Sequence, residues 1–160
     1  IKEDYRKSQN KSNDKYLYPL NEITSFKINK LFRKLTKGKH KEEKFLLIKG
    51  RKFTFKNYFE GISRFDFSDL CNKNLGAEDY IEIADTCKCI LIENLPNFDD
   101  NNSNQQQRFI TLIDIIYEKK VKLIISGTSN LNKLTSASIL LEPFKRTVSR
   151  LHELTSSINV

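Results

Sequence analysis

Glu93 and Asn94 close the apolar run CILI, and Ser126, Thr128 and Asn130 follow a second run, VKLII. If both runs are parallel strands, the two groups share one edge of the sheet, beyond the carboxyl ends where open α/β sheets take their ligands. On that edge Glu93 could associate with magnesium and Asn130 could sense a γ-phosphate. The alternative is that ENLP and GTSN are turns, whose Asn, Ser and Gly residues stabilise chain reversal. Two observations favour the turns. Phosphate chemistry of this kind needs a GxxxxGK[ST] loop whose backbone N–H groups cradle the phosphates, yet Gly38, Gly50, Gly61, Gly76 and Gly127 stand alone, with no GKS or GKT. A magnesium site also calls for a pair of carboxylates, and Glu93 is followed by Asn.

Arg146 and Arg150 are one helical turn apart, a spacing suited to gripping phosphate oxygens or a partner's carboxylates by bidentate hydrogen bonds. Glu142 and Glu153 lie close in sequence, so surface ion pairs are the competing reading. Arg108, just ahead of an apolar helix, is either a helix-start cation facing an interface or the partner of an acid such as Asp114 or Asp79. Asp66, Asp69, Asp79, Glu82, Glu93 and Asp114 supply carboxylates enough for a metal-dependent nuclease built on Glu93 and Asp114. No acid-x-acid or EXK pattern falls at matching strand ends, which argues against it. His40 and His152 stand in polar settings without a Ser or Cys nucleophile signature, so covalent catalysis is not indicated. Cys71, Cys87 and Cys89 are odd in number, and their CKC pair is too close for zinc or redox spacings. They read as buried, reduced thiols of a cytosolic protein.

The elements that must position these residues follow from hydrophobic spacing. Residues 1–20 are polar and punctuated by Pro19, as in an extended linker. Ile23, Phe26, Ile28, Leu31, Phe32 and Leu35 recur at near-helical spacing up to a stop at Gly38. KFLLIKGRKFTF places two β-rich runs around Lys49, Gly50 and Arg51, as in a hairpin. A Ser68-capped turn then holds Leu70 and Cys71, and Gly76 opens a helix with Tyr80, Ile81 and Ile83. Cys89 to Ile92 and Val121 to Ile125 are buried strands joined by a helix over Gln105 to Glu118. That order makes a right-handed parallel βαβ unit. The crossover helix carries Phe109, Ile110, Leu112, Ile113, Ile115 and Ile116, so something must cover its outer face as well. Pro143 suits the first turn of a last helix, with Phe144, Val148, Leu151 and Thr155 on one face and the two arginines on another. The expected architecture is α/β: a small parallel βαβ-containing sheet with flanking helices, preceded by a short helical lid-like segment. The expected division is a linker and helical segment over 1–44 and an α/β region over 45–160.

At 160 residues the chain can bury one good core. No run reaches the roughly 18 apolar residues of a membrane span, and IKEDYRKSQNKS is neither a signal peptide nor a transit helix. The chain contains no Met, which reads as a segment of a longer protein. Its net charge of +8 suits an anionic partner. The lysines are spread along the chain among many Asn, however, so a basic nucleic-acid-binding module is the second reading and nucleic acid is not the preferred partner.

The ordered motifs add a resemblance. DYR (Asp4, Tyr5, Arg6), GR (Gly50, Arg51), FDFSDLC, LGAEDYIEIA, ILIENLP, RFITLIDIIYEKKVKLIIS and FKRTVSRLHEL run along essentially the whole chain. Together they resemble the C-terminal half of the ZapE-like, AFG1-type family of AAA+-related P-loop ATPases, which includes mitochondrial matrix homologues. The usual Met after SRL-x-E is Leu154 here, a near volume-conserving change. The resemblance implies a full-length ATP hydrolase whose Walker A, Walker B and sensor Asn precede residue 1, with ATP and magnesium bound there and none bound by this chain alone. It implies lid, oligomer-interface and partner-binding roles for the present segment, inactive by itself. Implied partners are its own N-terminal ATPase core, further copies of itself and, in bacteria, an FtsZ-type division protein. The implied location is the cytoplasm, peripheral at the inner membrane, or the mitochondrial matrix in a eukaryote, where members are linked to protein quality control. Arg146, Arg150, Arg108 and Arg6 are the implied contacts to nucleotide or to the adjacent core, with no catalytic residue and no metal ligand.

Overall fold

The computed structural model describes residues 14–156. Its chain begins with a two-residue strand, β1 (Tyr16–Leu17), and a helix, α1 (Glu22–Thr36), whose first free N–H groups are capped by the Asn21 side chain bonding Thr24 at 2.9 Å. A hairpin follows, β2 (Lys44–Ile48) and β3 (Arg51–Phe55), in which Ile48 lies opposite Arg51. Its two-residue loop, Lys49 and Gly50, has φ of 52° and 79°. Left-handed values at both positions are what a type I′ turn needs, and glycine accepts them without a steric cost.

The remaining strands are β4 (Tyr58–Phe59), β5 (Ile62–Asp66), β6 (Cys89–Leu95) and β7 (Lys122–Gly127). Among the described residues they form one five-stranded sheet with β1, in the order β1-β7-β6-β5-β4, parallel except for β4. The βαβ expectation holds: Cys89 to Ile92 pair in parallel with Lys122 to Ile125. The crossovers are α2 (Phe67–Cys71) with α3 (Ala77–Thr86), and then α4 (Ser103–Glu118); α5 (Leu141–Leu154) follows β7. No helix among them is long and apolar enough to cross a membrane.

The strands read as unbroken apolar runs because both faces of the sheet are covered. Ile90, Ile92, Leu123 and Ile125 point into a larger core under α2 to α5, whereas Cys89, Leu91 and Ile124 point into a smaller one capped by Ile28 and Phe32 of α1. Thus α1 covers one layer of the sheet and β1 lies beside β7, so the described part of residues 14–44 shares this sheet with the rest. α4 is flanked by α3 and α5, which bury its sides, and its outermost stripe of Asn104, Gln107 and Glu118 is polar and exposed. Two local expectations are corrected. Tyr16 and Leu17 are strand, because the free edge of β7 supplies their hydrogen-bonding partners. The cap of α2 is Asp66 rather than Ser68: its carboxylate accepts from the Ser68 N–H at 3.0 Å, and Asp69 returns the bond to the Asp66 N–H at 3.0 Å.

Close packing of β1 accounts for Gly127. The Tyr16 hydroxyl donates to the Ser129 carbonyl across the end of β7, and a Cβ at position 127 would lie 2.3 Å from the Tyr16 Oη and 3.1 Å from its Cζ. Gly127→Ala should therefore cost about 1–3 kcal/mol by overpacking. Adding Tyr16→Phe should return part of that loss in denaturant titrations; an additive pair would place the clash elsewhere.

All three cysteines are free and buried. Burial pushes the Cys71 thiol up to about 12 and those of Cys87 and Cys89 up to about 11. In the native protein they should stay inert to a thiol reagent at pH 8 and react together on unfolding, as a time course with and without denaturant would record.

Candidate functional site

The carboxyl edge of the parallel strands carries the residues that first suggested chemistry. Register places Asp66, at the end of β5, opposite Glu93 of β6. A pair of carboxylates at neighbouring strand ends is thus present, although no spacing in the sequence announces it. Each is already engaged. Arg64 donates to both Glu93 carboxylate oxygens, from Nε at 2.6 Å and from Nη2 at 3.0 Å, and the same Nη2 also donates to the Asn29 side-chain oxygen at 2.8 Å. The guanidinium also lies 5.2 Å from the centre of the Phe32 ring. Asp66 accepts from the Ser68 N–H and hydroxyl and from the Asn94 amide. Burial alone would raise the Asp66 carboxyl, but these donors and the Lys56 ammonium hold it below its ordinary value.

The segment ENL is not a turn beyond the strand. It is a bulge inside β6, between Ile92 and Leu95, in which Asn94 takes φ of 69°. Asn tolerates that left-handed conformation better than other side chains, which suits it to the bulge. GTSN leaves the sheet in a bend: Gly127 still belongs to β7, the Thr128 N–H bonds the Leu95 carbonyl of β6 at 3.0 Å, and the Asn130 side chain caps a short 3₁₀ turn by accepting from the Asn132 N–H at 2.9 Å. Asn130 also donates to the Tyr18 hydroxyl at 2.9 Å.

Groups on this edge that magnesium-bound ATP would call on are engaged within the fold. A metal needs carboxylate lone pairs, and those of Glu93 are taken by a cation of its own fold. A phosphate needs converging backbone N–H groups, whereas that of Thr128 is bonded to the Leu95 carbonyl and that of Asn132 to the Asn130 side chain. No group of three or more His, Cys, Asp or Glu among the described residues could hold a metal ion.

The other charged motif residues are brought together in pairs. Arg51 of GR bonds Asp79 of EDY at 3.1 and 3.3 Å, while Asp79 also caps α3 by accepting from the Gly76 N–H at 2.8 Å. The Tyr80 hydroxyl donates to the Leu70 carbonyl at 2.6 Å. Arg108 donates to the Cys71 carbonyl at 3.0 Å, joining the start of α4 to the end of α2. Arg146 and Arg150 converge on Asp114 of α4, with Arg146 at 3.5 Å, and the Arg150 guanidinium lies 4.7 Å from the centre of the Tyr117 ring. Their acid is therefore on the neighbouring helix, in place of Glu142 or Glu153 on their own. Arg150 is 23% exposed and Arg146 57%. The His152 Nε2 lies 2.9 Å from the Asn132 side-chain oxygen, and burial draws the imidazole below its ordinary value. Arg6 lies outside the described residues.

Comparison with known proteins follows this geometry. A family model described as AFG1-like ATPase matches residues 2–159. The chain is 35% identical over 89 residues to lactation elevated protein 1 homolog B of Danio rerio, covering 56% of this chain and 18% of that protein. It is 28% identical over 141 residues to the cell division protein ZapE of Escherichia coli K12, covering 88% of this chain and 38% of that protein. The chain thus spans well under half the length of these relatives. No solved structure gives a significant match.

Proposed function

The chain belongs to the AFG1-like ATPase family, and from that premise we propose that it is a non-catalytic C-terminal part of a P-loop ATPase. In this reading ATP and magnesium are bound by a P-loop core elsewhere in the same polypeptide. The present α/β unit supplies lid and interface surfaces to that core, to neighbouring copies and to protein partners. The supporting observation is the Arg64–Glu93 pair: the strand-end acid best placed to serve a metal is bonded twice by an arginine on the adjacent strand. Arg146 is the candidate contact to nucleotide or to a neighbouring core. It holds Asp114 at 3.5 Å and keeps most of its fork of donors exposed, while Arg150 anchors the site on Tyr117. Arg108, spent on the Cys71 carbonyl, positions α4. Cell division, the role in the name of the Escherichia coli relative, is the process this reading carries over to a bacterial setting.

The test is ATP turnover by the full-length protein. Glu93→Gln should leave it within about threefold of the parent, since a group outside the reacting atoms contributes no transition-state stabilisation. A loss beyond a hundredfold, with the fold intact by circular dichroism, would return Glu93 to the active site and overturn the proposal.

A further inference from the structure

The outer face of α1 is apolar at its amino-terminal end. Ile23 and Phe26 are 66% and 60% exposed, with Tyr18 at 45% and Leu20 at 38% just before the helix. Of nine exposed large apolar side chains among the described residues, these four fall within residues 18–26. Leu20 and Phe26 also flank a groove of about 570 Å³ whose other walls include Ser25, Asn29, Glu93 and Asn94. Apolar residues scattered singly over a surface are ordinary, whereas a contiguous patch rimmed by polar groups marks a contact. The fold of this chain does not require the patch, because α1 is anchored on the sheet by Thr24, Ile28 and Phe32. Further along the helix the exposed charged positions are Lys27, Lys30, Arg33 and Lys34, and its acid is Glu22.

We propose that this face of α1 docks against the ATPase core of the same polypeptide. The inference rests on the reading that such a core is attached, and it assigns the surface that receives it. The relatives are far longer than this chain, which spans 38% of one and 18% of another, and in that reading the core is the part of the polypeptide that lies outside it. A domain tethered by a short linker is present at an effective concentration on the order of millimolar, ahead of any second molecule. The chemistry of the occupant follows from the face. Glu93 is neutralised by Arg64, so the groove favours an apolar side chain with neutral polar neighbours, not an ion. The basic remainder of α1 then meets an acidic rim, giving the apolar centre and polar border usual for an interface.

The test uses the full-length protein with one added thiol at a time: Ile23→Cys or Phe26→Cys on the patch, and Leu47→Cys on the hairpin, where Leu47 is 72% exposed, as the reference. The buried native cysteines keep the background low. Thiols at positions 23 and 26 should react with a maleimide at least about tenfold more slowly than the one at 47, and the ratio should be unchanged on hundredfold dilution, as an intramolecular contact requires. Equal rates at all three positions would overturn the docking. Protection that fades on dilution would also overturn it, by assigning the patch to a second copy. Free labelling at 26 in a full-length protein that still hydrolyses ATP removes this inference and leaves the proposed function standing. Turnover abolished by Glu93→Gln while positions 23 and 26 stay protected removes the proposed function, because the docked contact is then intact.

Discussion

Phe109→Ala should destabilise the chain by about 3–5 kcal/mol, the usual range for removing a buried phenylalanine. Phe109 is fully buried near the start of α4, its ring centre 5.9 Å from those of Phe67 and Phe98. Phe98 in turn stands edge-on to Phe144 of α5, with centres 5.6 Å apart. One ring therefore touches α2 and the loop after β6, and through Phe98 it reaches α5. Deleting it leaves a cavity that three separate elements would have to move to fill. Phe109→Leu keeps most of the volume and should cost less than half as much. Guanidinium titration of the three proteins checks both values. A loss below about 1 kcal/mol for the alanine variant would mean that α4 does not pack on α2 in this way.

The spine of the fold was legible because its signals are local. CILI and VKLII are apolar runs of strand length with a helix-length segment between them, and chain connectivity leaves few ways to join parallel strands. What was not legible depends on which residues meet across long separations. Tyr16 and Leu17 are a strand only because β7 offers an edge; two residues just ahead of Pro19 are too few to show an alternation. Asp66 and Glu93 become a pair through strand register, which neither segment encodes alone. The same holds for Asp114 as the acid shared by Arg146 and Arg150. The motifs that carried the family resemblance prove to hold one another: Arg51 with Asp79, Arg108 with the Cys71 carbonyl, Arg150 with Asp114. A motif residue bonded to another motif residue holds geometry, so its place in the motif is accounted for first by the fold and only then by a ligand.

Arg64→Met should cost about 2–4 kcal/mol, somewhat below the range for breaking a fully buried pair, because both side chains keep roughly a fifth of their surface in water. The loss would come less from the bonds removed than from what remains. Glu93 would be left half-buried at the sheet edge with Asp66 as its cross-strand neighbour, and like charges in that position repel. Methionine preserves the aliphatic stem that lies over Phe32, so the electrostatic part of the loss is isolated. Adding Glu93→Gln to Arg64→Met should then recover stability, making the double variant more stable than Arg64→Met alone. A double-mutant cycle in urea should give a coupling of about 1–3 kcal/mol. A coupling near zero would mean that the arginine does not hold the acid in solution. Glu93 would then be free to take a cation beside Asp66, and this edge would have to be reconsidered as a metal site. A large coupling means that the carboxylate is committed to the fold through Arg64, as the proposed function requires.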